Sequence, residues 1–288
     1  MEALRHVRLR PRGAAEGTFA GPHKSHYRGT AVEFADYREY SSGDDIRLVD
    51  WKVFARTDRH YVRLYDAERN LLTYLVVDKS GSMDFSGAVV RTASKLEYTS
   101  RLAAALGYLV VREGDELGLS LADTELHRHL PAGASWPHLN RILDALVHVR
   151  AEGRTDLGAC LEQVFTRTKR RGVLAVLSDF LDANARFWKA IDLFRRSRFD
   201  VMLFQVAHPE ELDLPTVAAA RFLETEGTNY FNAEPDAVRT LYRRRFDAFL
   251  SEIKANCQAR GCDWYLARTS DDPYGLLRNC FLERENAR

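Results

Sequence analysis

From Leu71 onward, apolar runs of strand length alternate with stretches in which Leu, Ala and Phe recur at helical spacing, and that alternation leaves few folds open. A strand as apolar as LLTYLVVD must be covered on both faces, which helices between successive strands achieve in a parallel sheet. The strands read from the pattern are LLTYLVVD, ELGLSLAD, ELHRHLP, GVLAVLSDF, DVMLFQVAH, RFLETE and CDWYLART. ELGLSLAD and ELHRHLP leave no room for a crossover helix. They are expected as an antiparallel hairpin turning at Asp123 and Thr124 and forming one edge of the sheet. Helices are expected over 92–112, 136–148, 157–169 and 184–197, and a long one opens near Pro235 and stops at Gly261. The fold class is therefore α/β: a doubly wound, mostly parallel sheet with one antiparallel edge strand, preceded by an N-terminal arm.

Residues 1–19 read as a flexible basic end carrying Arg5, Arg8, Arg10 and Arg12, residues 20–70 as the arm, and 71–288 as the α/β domain with its C-terminal helices. In the arm, acidic and basic residues alternate with aromatics, and HYVRLYDAE has strand alternation. Two readings stand side by side: a solvated cover held by Tyr37, Tyr40, Trp51 and Phe54, or an interaction surface that offers Arg28, Arg38 and Trp51 to a partner.

A formal net charge of +1 over 288 residues excludes a strong field that would steer the molecule to nucleic acid or anionic lipid. The most apolar stretch, LAAALGYLVV, falls well short of the ~20 residues that span a bilayer, and the first residues lack the apolar core of a signal peptide. A soluble, cytoplasmic protein is expected, with Cys160, Cys257, Cys262 and Cys280 as free thiols. No second Cys/His pair stands at zinc-site spacing from Cys257 and Cys262, and His127 and His129 read as part of a solvated edge strand.

In a parallel sheet, ligands bind beyond the carboxyl ends of the strands. The first strand ends in Asp78, Ser80 and Ser82, the loop before the helix at Leu157 offers Thr155, and GVLAVL is followed by Ser178 and Asp179, with Asp182 close behind. Such an oxygen-only set suits a hard divalent cation, Mg²⁺ or Mn²⁺ ahead of Ca²⁺. Ser80, Ser82 and Thr155 would bind through neutral hydroxyls, while Asp78 and Asp179 would supply charge directly or through water and offset the positive ends of nearby helices. A cation held mainly by hydroxyls stays short of negative charge, which favours one more carboxylate from outside. Thr155 has an alternative as the N-cap before Leu157, and Asp182 reads as a loop or cap residue or as one that meets a partner. Arg154 flanks the second loop, where it could neutralise excess carboxylate or meet a partner.

The set resembles the metal-ion-dependent adhesion site of von Willebrand factor A domains: DKSGS matches Asp-x-Ser-x-Ser, GRTDLG supplies Thr155 and LSDF supplies Asp179, within a resemblance covering about residues 70–270. The arm, YRGTAVEFADYREYSSGDDIRLVDWKVFART, is similar to the signature of the bacterial DUF58 family, which joins such an arm to a von Willebrand A domain. Many members carry N-terminal membrane helices and an extra β domain, so this chain is expected to be a short, soluble member. Members are commonly encoded beside MoxR-type AAA+ ATPases. The resemblance implies a partner or adaptor of such an ATPase in protein assembly or activation, with a Glu or Asp of the partner completing the metal's coordination.

The alternative is a hydrolase or phosphotransferase using the Asp78/Ser80 strand end. A haloacid-dehalogenase pattern would need an aspartate where Ser80 stands, and neither serine lies in a Gly-x-Ser-x-Gly elbow, although His208 could serve as a base. The chain has no Gly-rich loop with Lys and Ser/Thr for a nucleotide. No convincing catalytic set emerges, and the expected protein is not an enzyme.

Overall fold

Two units divide the chain, Gly17–Asn70 and Met1–Glu16 with Leu71–Arg288. The computed structural model describes Leu9 and residues 33–66, 71–215, 220–223, 230–233 and 235–286. In the smaller unit, β1 (Glu33–Glu39) pairs antiparallel with β2 (Tyr61–Asp66), and α1 (Trp51–Thr57) lies between them in sequence. Asp50 caps α1, its Oδ1 accepting from Lys52 N at 2.9 Å while the Tyr37 hydroxyl donates to Oδ2 at 2.8 Å. Asp58 ends the helix in the left-handed region at φ 55°. β2 matches the strand read in HYVRLYDAE; β1 and α1 were not anticipated, because dense alternating charge hides their short periodicity. Arg38 is exposed and paired with Asp44 at 2.8 Å, Trp51 is exposed, and Arg28 lies outside the described residues.

The larger unit continues with β3 (Leu72–Asp78), α2 (Lys95–Arg112), the hairpin β4 (Glu116–Ala122) and β5 (Leu126–Gly133), α3 (Trp136–His148), α4 (Leu157–Arg167) and β6 (Val173–Ser178). After these come α5 (Ala185–Arg196), β7 (Asp200–Ala207), α6 (Pro209–Leu212), β8 (Ala220–Leu223), β9 (Tyr230–Ala233), α7 (Pro235–Ala259), β10 (Asp263–Arg268) and α8 (Pro273–Asn286). The six-stranded sheet has the order β10-β7-β6-β3-β4-β5, parallel throughout except for β5 at its edge. Of RFLETE, residues 221–223 lie in a strand outside this sheet, β8, which pairs antiparallel with β9, and the rest lies outside the described residues. That strand is too short and too isolated from the parallel run to be told apart by pattern.

Period-2 alternation sorts β3 between two cores. Leu75 and Val77 pack with α2, α3 and α8, whereas Tyr74 and Val76 pack with α4, α5 and α7. The sheet is thus covered on both faces, as its unbroken apolar strands require. Leu9 is buried in the α2-side core, a packed residue where the sequence reading has a loosely ordered end. The four cysteines are free and buried. Among the described residues no helix is long and apolar enough to cross a membrane.

The winding also fixes where a site can form. From β3 the chain crosses one face by α2 to β4, while β6 lies on the other side of β3 and follows α4 on the opposite face. The order therefore reverses at β3, and the loops leaving β3 and β6 part beyond their carboxyl ends. At the amino ends, Arg284 of α8 is buried and bonded to both Asp200 and Asp263, the first residues of β7 and β10.

Candidate metal centre

β3 runs buried to its last residue, so Asp78 enters the rim with no exposed surface. Its carboxylate is held from two directions: Oδ1 accepts from Ser80 N at 2.9 Å, and Oδ2 accepts from Ser178 Oγ of β6 at 2.5 Å. The chain then turns into a 3-10 helix over Gly81–Asp84. That turn brings Ser80 Oγ and Ser82 Oγ to 3.2 Å from each other, both buried.

The second loop is stapled to the first by backbone. Glu152 N donates to Lys79 O and Gly81 N donates to Gly153 O, each at 2.9 Å. Thr155 follows two residues later, and its Oγ1 is buried without a hydrogen-bond partner among the described residues. The cap of α4 is the neighbouring Asp156, which accepts from Ala159 N at 2.9 Å, so the Thr155 hydroxyl is not used for capping. An orphaned buried hydroxyl costs about 1–3 kcal/mol.

The third loop leaves β6 through Ser178 and Asp179. Phe180 adopts φ 59°, a conformation costing a non-glycine residue about 1–3 kcal/mol. Its amide donates to Ser178 Oγ at 2.9 Å and its ring is buried 5.5 Å from that of Phe187, which holds the turn in place. Asp179 is thereby directed inward, where Oδ2 meets Lys95 Nζ at 2.8 Å. The cap of α5 is Asn184, and Asp182 accepts from its side chain at 3.3 Å. Arg154 is exposed on the second loop.

Burial is the main force on the Asp78 carboxyl, and the charge of Asp179 adds to it; together they push its pKa up to about 7 against the hydrogen bonds from Ser178 and Ser80. Burial pulls the other way on Lys95, but the charges of Asp179 and Glu211 outweigh it and hold the ammonium protonated. Lys95 Nζ lies 2.7 Å from Glu211 Oε1, so one buried cation bridges α6 and the third loop.

α6 also fastens the segment after Ser82. Glu210 accepts from the backbone N–H groups of Ala88, Val89 and Val90. Gly87, at φ 82°, passes so close to His208 that a Cβ there would lie 2.3 Å from Cε1. His208 is buried, and its Nδ1 accepts from Glu210 N at 3.1 Å. Among the described residues, neither Ser80 nor Ser82 hydrogen-bonds to a histidine. His127 and His129 are engaged with Asp123 at 2.7 Å and Ser120 at 3.0 Å.

The arrangement offers oxygen donors only. Among the described residues no group of three His, Cys, Asp or Glu is placed to hold a metal, and beside their carboxylates the rim loops carry hydroxyls. Three of them, with the Asp78 and Asp179 carboxylates, form the chemistry a hard cation takes, and the orphaned Thr155 Oγ1 is the donor that such an ion would satisfy. Sequence reasoning missed Lys95, Glu211 and Glu210, whose partners stand 84, 116 and about 120 residues away. A lysine in a first helical turn carries no signal of burial.

A family model described as "Protein of unknown function DUF58" matches residues 36–250. The uncharacterised proteins Rv1480 of Mycobacterium tuberculosis and Mb1516 of Mycobacterium bovis are each 29% identical over 277 residues, covering 94% of this chain and 85% of theirs. Among solved structures, BatB from Bacteroides thetaiotaomicron aligns with a TM-score of 0.46 at 14% identity, covering 76% of this chain and 98% of its own. The SpRpn10 VWA domain aligns at 0.41 and 11% identity over 76% and 96%. Manganese-loaded TRAP protein of Plasmodium vivax aligns at 0.35 and 16% over 47% and 56%.

Proposed function

The chain belongs to the DUF58 family, and from that premise we propose that it is a metal-dependent protein-docking module. Asp78, Ser80, Ser82, Thr155 and Asp179 hold Mg²⁺ or Mn²⁺, and a Glu or Asp of a partner protein completes the coordination sphere. The observation that carries the reading is Thr155 Oγ1, a buried hydroxyl with no partner among the described residues, on a loop stapled to the one that carries the paired Ser80 and Ser82 hydroxyls. Most buried polar groups find a partner, and what sets Thr155 apart from the other orphaned hydroxyls is its place on the loop stapled to Lys79 and Gly81. The resemblance of DKSGS, Thr155 and Asp179 to a metal-ion-dependent adhesion site supports the same reading, and the partner we propose, from the resemblance to DUF58 proteins encoded beside such enzymes, is a MoxR-type AAA+ ATPase.

Thermal melting tests the metal. Mg²⁺ at a hundredfold excess over its Kd adds about 2.7 kcal/mol, a rise in midpoint of about 5–10 °C for a domain of this size. The rise is expected in the wild type and not in Asp78→Ala; an equal response in both would end the metal reading. Recovery of an AAA+ ATPase from lysate, with loss on adding chelator, tests the partner. Turnover of a phosphate or acyl ester that is lost in Ser80→Ala would favour the hydrolase alternative.

A further inference from the structure

Lys95 is the first residue of α2 and is fully buried at the rim of the centre, its Nζ 2.8 Å from Asp179 Oδ2 and 2.7 Å from Glu211 Oε1. Burying an ammonium is costly unless it is paired, and here one pairing carboxylate comes from the loop after β6 and the other from α6, which follows β7. One of them, Asp179, also belongs to the set proposed to hold the metal. A fixed positive charge and a divalent ion that share one carboxylate repel each other, and buried charges are little screened by salt. Glu211 acts on the same ammonium from the other side. Glu211 is itself anchored at both ends: its side-chain Oε2 accepts from His208 N at 2.8 Å, and its backbone carbonyl accepts from the Tyr242 hydroxyl at 2.9 Å.

We propose that Lys95 sets the cation affinity of the centre: its ammonium, tied to Asp179, opposes a divalent ion, and Glu211 determines how much of that opposition is felt. This rests on the metal reading above. The resting centre holds its ion loosely, and a carboxylate brought by a partner supplies the negative charge that Lys95 has offset. Lys95 is a positioning residue that touches the ion only through Asp179, and its role separates from a purely structural one by the sign of its effects.

The experiment is calorimetric titration of Mn²⁺ into the full chain, with circular dichroism to follow the fold. Lys95→Gln, which keeps a hydrogen-bond donor for Asp179 and removes the charge, is expected to bind Mn²⁺ at least about tenfold tighter, or about 1.4 kcal/mol. Glu211→Gln, which leaves the ammonium less compensated, is expected to bind it more weakly, and Lys95→Arg to stay at the wild-type value. A loss of packing alone would move both neutral variants the same way. Shifts in the same direction, an unchanged Lys95→Gln, or a tightened Lys95→Arg would overturn the role of Lys95 while leaving the metal reading intact. No Mn²⁺ heat in any protein, wild type included, would overturn the metal reading and this inference with it. Should Lys95→Gln fail to fold, Glu211→Gln and Lys95→Arg still decide, since weakening in the first and none in the second is required.

Discussion

At the amino end of the sheet Asp200 and Asp263 meet Arg284, while at the carboxyl end Asp78 and Asp179 meet a single lysine and a group of hydroxyls. Both clusters are buried, so both carry the cost of taking carboxylates out of water. At the amino end one planar guanidinium answers both acids in a fixed fork. At the carboxyl end Lys95 answers Asp179 and Glu211, and Asp78 is left with amide and hydroxyl donors and a pKa near 7. The same sheet thus gives both acids a cationic partner at one end and, among the described residues, leaves Asp78 with none at the other. Closure there holds strands to a helix; incompleteness here is what a ligand can use.

The largest effect should come from opening the closed end. Arg284→Met strands two buried carboxylates and is expected to cost about 3–5 kcal/mol in urea unfolding, with the Mg²⁺-dependent rise in midpoint kept. Loss of that rise would mean the two ends are not independent. Next is the pH dependence of the carboxyl end. The Asp78 pKa is raised from 3.8 to about 7 on folding, so between those values the native state keeps a proton that the unfolded chain has released. Stability without divalent ion should then fall as pH rises through that window, by up to about 1.4 kcal/mol per unit, and level off above it. Asp78→Asn should flatten the profile, and an unchanged slope would remove the contrast between the ends.

The smallest effects distinguish neighbours. Thr155→Val, which deletes the orphaned hydroxyl at constant shape, should leave the metal-free protein as stable or up to about 1 kcal/mol more so, and should abolish the Mg²⁺ shift. Asp156→Ala should do the reverse, costing about 1 kcal/mol as a lost helix cap while the shift remains. Matching behaviour of the two variants would erase the distinction between a ligand and a cap.

The six-stranded sheet was legible because its central strands β3, β6 and β7 are nearly unbroken apolar runs, and the hairpin because ELGLSLAD and ELHRHLP leave no space for a helix. Two rim loops could be found from strand ends alone, since a carboxylate after an apolar run is conspicuous, and the Thr155 loop from the helix it precedes. Which of Thr155 and Asp156 caps α4 could not be read, because both residue types cap well and the choice depends on loop backbone geometry. Lys95 and Glu211 were invisible for a different reason: only the closed fold makes them neighbours, and periodicity carries no information about contacts across it. β1 and α1 were hidden by their shortness and charge.

The four residues of α6 tie three parts of the larger unit together. Glu210 collects the amides of Ala88, Val89 and Val90, Glu211 holds Lys95, and α7 reaches the same turn through Tyr242 and through Arg239, which pairs with Asp213 at 3.1 Å. Because the two glutamates are adjacent in one turn, the segment after Ser82 cannot swing outward without forfeiting several donors at once. The rim segment, α6 and α7 are therefore joined at one clasp, in which each part is held by donors or acceptors of the others.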